Sequence, residues 1–430
     1  MHNKEGMRVL IVSTSERTGG AAVAANRLKD ALNNNGVKAK MLVRDKTTDD
    51  ITVVRIGGGW RSQWRFLWER WCIFVRLRFC RKRLFEIDIA NTGHDITSLP
   101  EFKEADVVHL HWVNQGMLSL QDIRRILEAG KPLVWTMHDL WPATAICHYA
   151  RGCQQFRREC HHCRLLPNGG SANDLSAKVW RRKNAVLKRR HVSFVACSRW
   201  LGNQAKESGL LSGHVVRSIP NPIDTRVFCP QDRQEARRQW KLPTDKRLIL
   251  FVSQRVTDER KGMDYFVAAI AKMVEEHPEM KANTAVLVLG GHSEEVVERL
   301  ALPVFPLGYV GDQQKIVSVY NAADVFVLPS LEDNLPNTIM ESMACGVPCV
   351  GFKVGGIPEM IDHQKNGYVA NYKSSDDLSR GIRWILDEAD TATLSRSAVG
   401  KVVKEYSQQS VALRYTEVYN EAIALEHYKI

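Results

Sequence analysis

Residues 329–350 read PSLEDNLPNTIMESMACGVPCV, a run that combines acids, a Pro-containing polar loop and a helix-forming stretch. The acidic pair Glu332 and Asp333 closes a short apolar run. A helix is predicted to start near Asn337 and Thr338, with Ile339 and Glu341 in its first turn. A helix N-terminus presents unspent backbone N–H groups and a partial positive charge, so it can seat a phosphate. Carboxylates beside it are acceptors for sugar hydroxyls, and one of them can take the paired hydroxyls of a ribose. The same residues suit a plain helix start, with Asn337 as cap and Glu341 favouring the dipole. Upstream, residues 253–262 read SQRVTDERKG. Arg255 and Lys261 fall between a predicted strand and a predicted helix, where a diphosphate would need fixed cations. Each such charge-assisted contact contributes about 1.5–3 kcal/mol. An Arg and a Lys in a loop are equally at home in water.

Two further segments carry chemistry. Residues 147–163 read CHYARGCQQFRRECHHC and place Cys147, Cys153, Cys160 and Cys163 close in sequence, the last two as C-x-x-C. Four thiolates can hold a tetrahedral zinc at about 2.3 Å, with His148, His161 or His162 as substitutes. Such a metal would staple a basic loop that has no core of its own. Structural zinc is the expectation, with redox or disulfide chemistry and unliganded thiols as alternatives. A catalytic zinc is not expected, because four thiolates leave no open position. Residues 60–85 read WRSQWRFLWERWCIFVRLRFCRKRLF. Trp60, Trp64, Trp68 and Trp71 recur at helical spacing, and eight Arg or Lys side chains face the single acid Glu69. That helix could lie on an anionic membrane surface, indoles at the interface and guanidiniums at the head groups. It could as well pack on a domain with its Arg row solvated. Aromatics among cations also suit nucleic acid, but no nucleic-acid motif accompanies them and no such partner is expected.

The elements that must position these groups follow from patterning. Short apolar, β-branched runs at residues 8–13, 37–43, 106–111, 133–137, 192–197 and 214–219 read as strands. Helices are predicted after Ala21 and over residues 118–129 and 178–190. Residues 220–243 hold four prolines and a charged stretch, which marks a domain boundary. Beyond it, strands at 248–253, 285–289, 304–307, 325–329 and 348–352 alternate with helices at 263–276, 312–322, 338–344 and 377–388. Residues 408–428 read as a last helix. Such alternation implies parallel sheet and right-handed crossovers. The expected fold class is therefore α/β: two Rossmann-like doubly wound domains, residues 1–220 and 245–405, with residues 408–430 packing back on the first. Open sheets of this kind bind ligands beyond the strand C-termini, so a central cleft is the expectation. A length of 430 residues suits two such domains, and the net charge of +12 favours anionic ligands or surfaces. No apolar run reaches the length of a membrane span or a leader core, so a cytoplasmic chain, at most peripheral on the inner membrane face, is expected. Cys197, Cys345 and Cys349 read as small buried residues.

Together these segments resemble the retaining glycosyltransferases of family 4, which have the GT-B fold. The resemblance rests on Asp333 and Glu341 with seven residues between them, the following ACGVP, and the preceding Arg255…Lys261–Gly262 unit. It continues in GGIPEMI (355–361), NGYVA (366–370), the Gly19–Gly20 loop, DVVHLHW (106–112), TMHDLWP (136–142) and NPID (221–224). It is most similar to bacterial exopolysaccharide and colanic-acid-type transferases, which share HD-x-W and a Cys-rich segment after it. The resemblance implies that Arg255 and Lys261 hold a donor diphosphate, Glu341 the nucleoside ribose, and Asp333 sugar hydroxyls. The backbone around Asn337, Thr338 and Ile339 would cradle phosphate or sugar oxygens. Gly19 and Gly20 would let the first loop approach the reacting centre, and His138 would sit opposite the sugar. The family's usual acid at the first position is Glu, so whether Glu332 or Asp333 faces the donor is left open.

The implied activity moves a sugar, with retained configuration, from a nucleoside diphosphate sugar to a glycan or lipid-linked glycan in cell-surface polysaccharide synthesis. No D-x-D triplet occurs, so no catalytic metal is expected, and the basic loop would stabilise the departing diphosphate instead. A nucleotide-sugar epimerase of the same fold, or a zinc and nucleic-acid binding protein, are the alternatives.

Overall fold

The structure is a computed structural model and describes residues 6–57 and 59–427. The chain divides into two compact units, one running to Pro220 and resumed from Val411, the other Asn221–Ser410. The first unit holds seven strands, β1 (Arg8–Ser15), β2 (Lys38–Asp45), β3 (Val53–Arg55), β4 (Val107–Leu110), β5 (Leu133–Met137), β6 (Ser193–Ala196) and β7 (Val215–Ser218). They lie in the order β3-β2-β1-β4-β5-β6-β7, and every pairing is parallel. The second unit holds β8 (Arg247–Arg255), β9 (Thr284–Gly291), β10 (Val304–Gly308), β11 (Val325–Leu328), β12 (Cys349–Phe352) and β13 (Gly367–Ala370). Their order is β10-β9-β8-β11-β12-β13, again all parallel. Burial on both faces explains why β11 reads as an unbroken apolar run and why β4 and β5 are interrupted only by the buried His109 and Thr136. In each sheet the strand order reverses once, between β1 and β4 and between β8 and β11. Ligands bind outside the carboxyl ends of strands at such switch points. Among the described residues no helix is long and apolar enough to cross a membrane.

The second unit begins earlier than residue 245. The stretch containing four prolines includes the helix Arg233–Gln239 (RQEARRQ). That helix is anchored by a buried cation. Arg237 is 3% exposed, and its guanidinium donates to Asp324 at 2.7 Å and to the Ala322 carbonyl at 2.9 Å. A helix fixed through an Arg lacks the apolar period that the sequence reading relied on. The strands β3 and β13 were also unforeseen.

The closing helix Gln408–His427 belongs to the first unit from Val411 on. Val411, Ala412, Tyr415, Val418, Tyr419 and Ala422 form one helical stripe that shares a core with Val9, Ile11, Val107, Val134 and Val195. Two tyrosine hydroxyls reach into the sheet: Tyr419 meets His109 Nδ1 at 2.8 Å and Tyr415 meets Thr136 Oγ1 at 2.9 Å. Tyr419→Ala removes a fully buried ring and leaves His109 Nδ1 without its hydroxyl partner, so it is expected to destabilise the first unit by about 3–5 kcal/mol. Tyr419→Phe keeps the ring and orphans only the hydrogen bond, for about 1–3 kcal/mol. Thermal unfolding of the two variants checks this order; equal losses would contradict it.

Candidate functional site

In the second unit the sheet itself brings together the two segments that the sequence singles out. Adjacent β8 and β11 pair Val325 with Ile249 and Phe326 with Leu250, so the loops leaving their C-terminal ends are neighbours. A glycine fixes how closely. Gly262 has φ +74°, and a Cβ there would lie 1.9 Å from the Pro329 carbonyl oxygen. No other residue fits. The loops are then tied by Leu331 N–H donating to the Arg260 carbonyl (2.8 Å) and by the Arg260 guanidinium donating to the Glu332 carbonyl (2.9 Å). Lys261 Nζ donates to Asp333 Oδ2 at 2.6 Å. Asp333, not Glu332, is thus the partner of the lysine. Burial opposes ionisation of Asp333, but Lys261, Arg260 and the Ser330 hydroxyl outweigh it and hold the carboxyl below its usual range. Burial lowers Lys261 from the ordinary lysine value, with the charge of Asp333 opposing that fall. Arg255, at the end of β8, is exposed, and among the described residues its guanidinium has no ion-pair or hydrogen-bond partner.

The helix Asn337–Ala344 starts directly after this loop. Its N-cap is Pro336 and carries no side-chain cap. Asn337 is therefore not the cap; its Oδ1 accepts from Asn221 Nδ2 at 3.0 Å. Ile339 N–H donates to the Pro336 carbonyl at 3.2 Å, which removes it from the set of unspent donors at the turn. Thr338 lies half-buried beside it. Glu341 sits in the second turn, not the first, because the helix begins at Asn337. It is 8% exposed and accepts from the Tyr320 hydroxyl at 2.9 Å.

In the first unit, β4, β5 and β6 are consecutive, and His111, His138 and Cys197 stand just past their C-terminal ends. His138 Nε2 lies 2.9 Å from His111 Nδ1, and His138 Nδ1 lies 3.4 Å from the Cys197 sulfur. Cys197 is buried as expected, but it also orients the imidazole. Burial pushes His138 down to about 4 and His111 well below its ordinary value, so both rings are neutral at neutral pH. The neighbouring Asp139 points elsewhere. It accepts from Trp112 Nε1 (3.0 Å), from Trp141 N–H (2.8 Å) and from His148 Nδ1 (2.7 Å). His148 Nε2 meets Asp88 at 2.6 Å. Burial disfavours charge on His148, yet Asp139 and Asp88 overcome it and raise the ring to about 10, an imidazolium clamped between two carboxylates. This clamp is not legible in the sequence, since Asp88 and His148 lie 60 positions apart in irregular segments. Gly19 has φ +90° and caps the helix Gly20–Asn34. No protein atom lies within 4 Å of where its Cβ would be, and the positive φ by itself favours glycine there. Gly20 is exposed at the first position of that helix.

The four cysteines expected to hold zinc lie within reach of one another's charge, since Cys160, Cys163 and Cys153 each act on the Cys147 thiol. Among the described residues no group of three or more His, Cys, Asp or Glu is arranged to hold a metal ion, and all ten cysteines are free thiols. Burial pushes Cys147 and Cys160 up to about 12. Other ties hold the segment. Phe156, Cys160 and Leu166 join the hydrophobic core, Asp174 accepts from Cys163 N–H at 2.9 Å, and buried Lys183 donates to the Trp141 and Thr144 carbonyls at 2.7 and 2.9 Å.

A sequence profile described as "Glycosyltransferase Family 4" matches residues 18–227, and one described as "Glycosyl transferases group 1" matches residues 246–388. The chain belongs to glycosyltransferase family 4. Among its relatives, this family 4 protein is 29% identical over 223 residues to the D-inositol 3-phosphate glycosyltransferase of Thermobispora bispora, a match covering 49% of the chain and 51% of that protein. The chain spans about half the length of the first curated relatives it matches. Sucrose-phosphate synthase from Thermosynechococcus elongatus superposes with a TM-score of 0.66 at 20% identity, over 97% of the chain and 100% of the synthase. Anabaena Alr3699/HepE, solved in complex with UDP-glucose, gives 0.62 at 15% identity, over 96% and 100%. The fold of the family 4 chain is GT-B.

The buried imidazoles set a pH dependence. His94 and His138 are lowered to about 4, His109 to about 3 and His111 well below its ordinary value, chiefly by burial. From pH 6.5 down to about 4.5 the unfolded chain therefore takes up protons that the folded chain refuses, and stability falls. Glu69, raised to about 7 by burial and by Asp88, acts in the opposite sense but is one group against four. His148, raised to about 10, stays protonated throughout this window. The melting temperature of the first unit is expected to drop steadily across it; a flat profile from pH 7 to about 4.5 would contradict these assignments.

Proposed function

We propose that this chain transfers a glycosyl group from a nucleoside diphosphate sugar to a glycan or lipid-linked glycan, with retention at the anomeric carbon, in the making of a cell-surface polysaccharide. The observation that carries the reading is the Lys261–Asp333 pair fixed beside an uncommitted Arg255 and a helix start without a side-chain cap. Breaking the bond between sugar and diphosphate moves negative charge onto the leaving phosphate. Lys261 and Arg255 supply fixed positive charge for it, and the first turn at Asn337 and Thr338 adds its dipole. Asp333 keeps one oxygen on Lys261 and has the other for sugar hydroxyls. Glu341, held by Tyr320, accepts from the ribose hydroxyls.

The sugar carbon gains positive charge as its bond breaks. A neutral His138 suits that moment, since an imidazolium would repel the charge, whereas a neutral ring can orient a hydroxyl or donate a hydrogen bond. The leaving phosphate takes the acceptor's proton on the same face, and no protein base is needed. Support for the donor class comes from family membership and from the UDP-glucose complex of Anabaena Alr3699/HepE. Support for the polysaccharide setting comes from the HD-x-W motif and the Cys-rich segment that follows it.

Turnover of nucleotide sugars tests the reading after a thermal-shift screen of UDP-, GDP-, ADP- and dTDP-sugars has identified the donor. Lys261→Gln and Glu341→Ala are each expected to lower kcat/KM at least about 100-fold, and Arg255→Ala about 10-fold or more. Wild-type rates in folded Lys261→Gln protein would overturn the assignment.

A further inference from the structure

We propose that the helix Trp60–Arg76 is a docking surface for an anionic phospholipid bilayer. The helix is anchored on the first unit through Ser62, Glu69, Arg70 and Ile73, all buried. At 100° per residue these four fall within one arc of about 100°. Trp60, Trp64, Leu67, Trp68, Trp71 and Val75 fall within a second arc of about 100°, on the far side of the helix. Their exposures are 66, 59, 56, 50, 53 and 42%. A surface helix ordinarily turns its polar residues to water. Here the outward face holds four indoles and two aliphatic side chains, and the inward face holds the acid. Contiguous apolar surface of this kind marks an interaction site.

Charge identifies the occupant. Glu69 is the only acid in residues 60–85, and it is withdrawn from the surface, its carboxylate accepting from Ile89 and Ala90 N–H at 3.0 and 2.7 Å. Arg61, Arg76, Arg78, Arg81 and Lys82 remain exposed along and just beyind the aromatic stripe. The outward surface of the segment therefore presents cations and apolar rings with no counter-charge of its own. A second copy would bring like charge against like charge. A nucleic acid would satisfy the cations but leave Leu67 and Val75 in water. An anionic bilayer offers phosphates to the guanidiniums and the headgroup–acyl boundary to indoles and aliphatics alike. Since no described helix crosses a membrane, the contact is peripheral. The inference stands on this surface alone and does not depend on the transferase reading.

The test is co-sedimentation of the full chain with phosphatidylcholine vesicles, with and without phosphatidylglycerol. Anionic vesicles are expected to bind the chain at least about tenfold more tightly, with salt weakening the binding. The Trp fluorescence should shift to the blue and be quenched by brominated lipid. The triple change Trp64→Ser, Trp68→Ser, Trp71→Ser is expected to reduce partitioning at least about tenfold while leaving the melting temperature unchanged, because these side chains are exposed. Each of Arg76→Gln and Arg81→Gln should cost about fivefold. Indifference to phosphatidylglycerol, undiminished partitioning of the triple variant, self-association that depends on the same tryptophans, or tighter binding to single-stranded DNA than to anionic vesicles would each overturn the proposal. The melting-temperature shift caused by a nucleotide sugar should be the same in the triple variant, so a failed vesicle experiment with that shift retained sinks the docking surface alone.

Discussion

The contact of Gly262 with the Pro329 carbonyl sets the geometry on which the candidate site depends. It holds the exits of β8 and β11 at a separation that any side chain would forbid. Within that separation Lys261 reaches Asp333, and Arg260 braces the acidic loop through a main-chain oxygen. Two charged groups removed from water cost several kcal/mol each unless each finds a partner in good geometry. The glycine supplies that geometry through backbone alone. The pair is then rigid before any ligand arrives, which is the condition for electrostatic stabilisation of a growing charge.

The first unit shows how environment divides one residue type between two states. His138 and His148 are ten positions apart and both lie beyond the end of β5. His138 faces a histidine and a thiol, neither of which compensates a charge, and burial leaves it neutral. His148 faces Asp88 and Asp139 and is held charged. Asp139 is the switch between them. It follows His138 directly in sequence and its charge opposes the fall of that ring, yet its carboxylate accepts from Trp112, Trp141 and His148.

The doubly wound architecture was legible because both sheets are parallel and buried on both faces, so each central strand announces itself as a short apolar run. The second-unit constellation was legible for a related reason: its residues sit at fixed offsets from strand ends that patterning locates. Legibility ended where the structure relies on buried polar groups. Arg237 fixes a helix that patterning reads as linker, Asp88 and His148 meet across distant loops, and Lys183 ties down a segment whose cysteines suggest a metal. Which of Glu332 and Asp333 reaches Lys261 was not legible either, since it depends on how the loops are pinned.

The return of the closing helix has a consequence for biosynthesis. His109 and Thr136 obtain their hydroxyl partners from residues 310 and 279 positions later in the chain. A ribosome therefore exposes the whole seven-stranded sheet long before the stripe that covers Val107, Val134 and Val195 has been translated. The second unit, contiguous from Asn221 to Ser410, emerges complete while the first still lacks its final layer. The usual N-to-C order of co-translational folding is thereby inverted: the half made first is the half finished last.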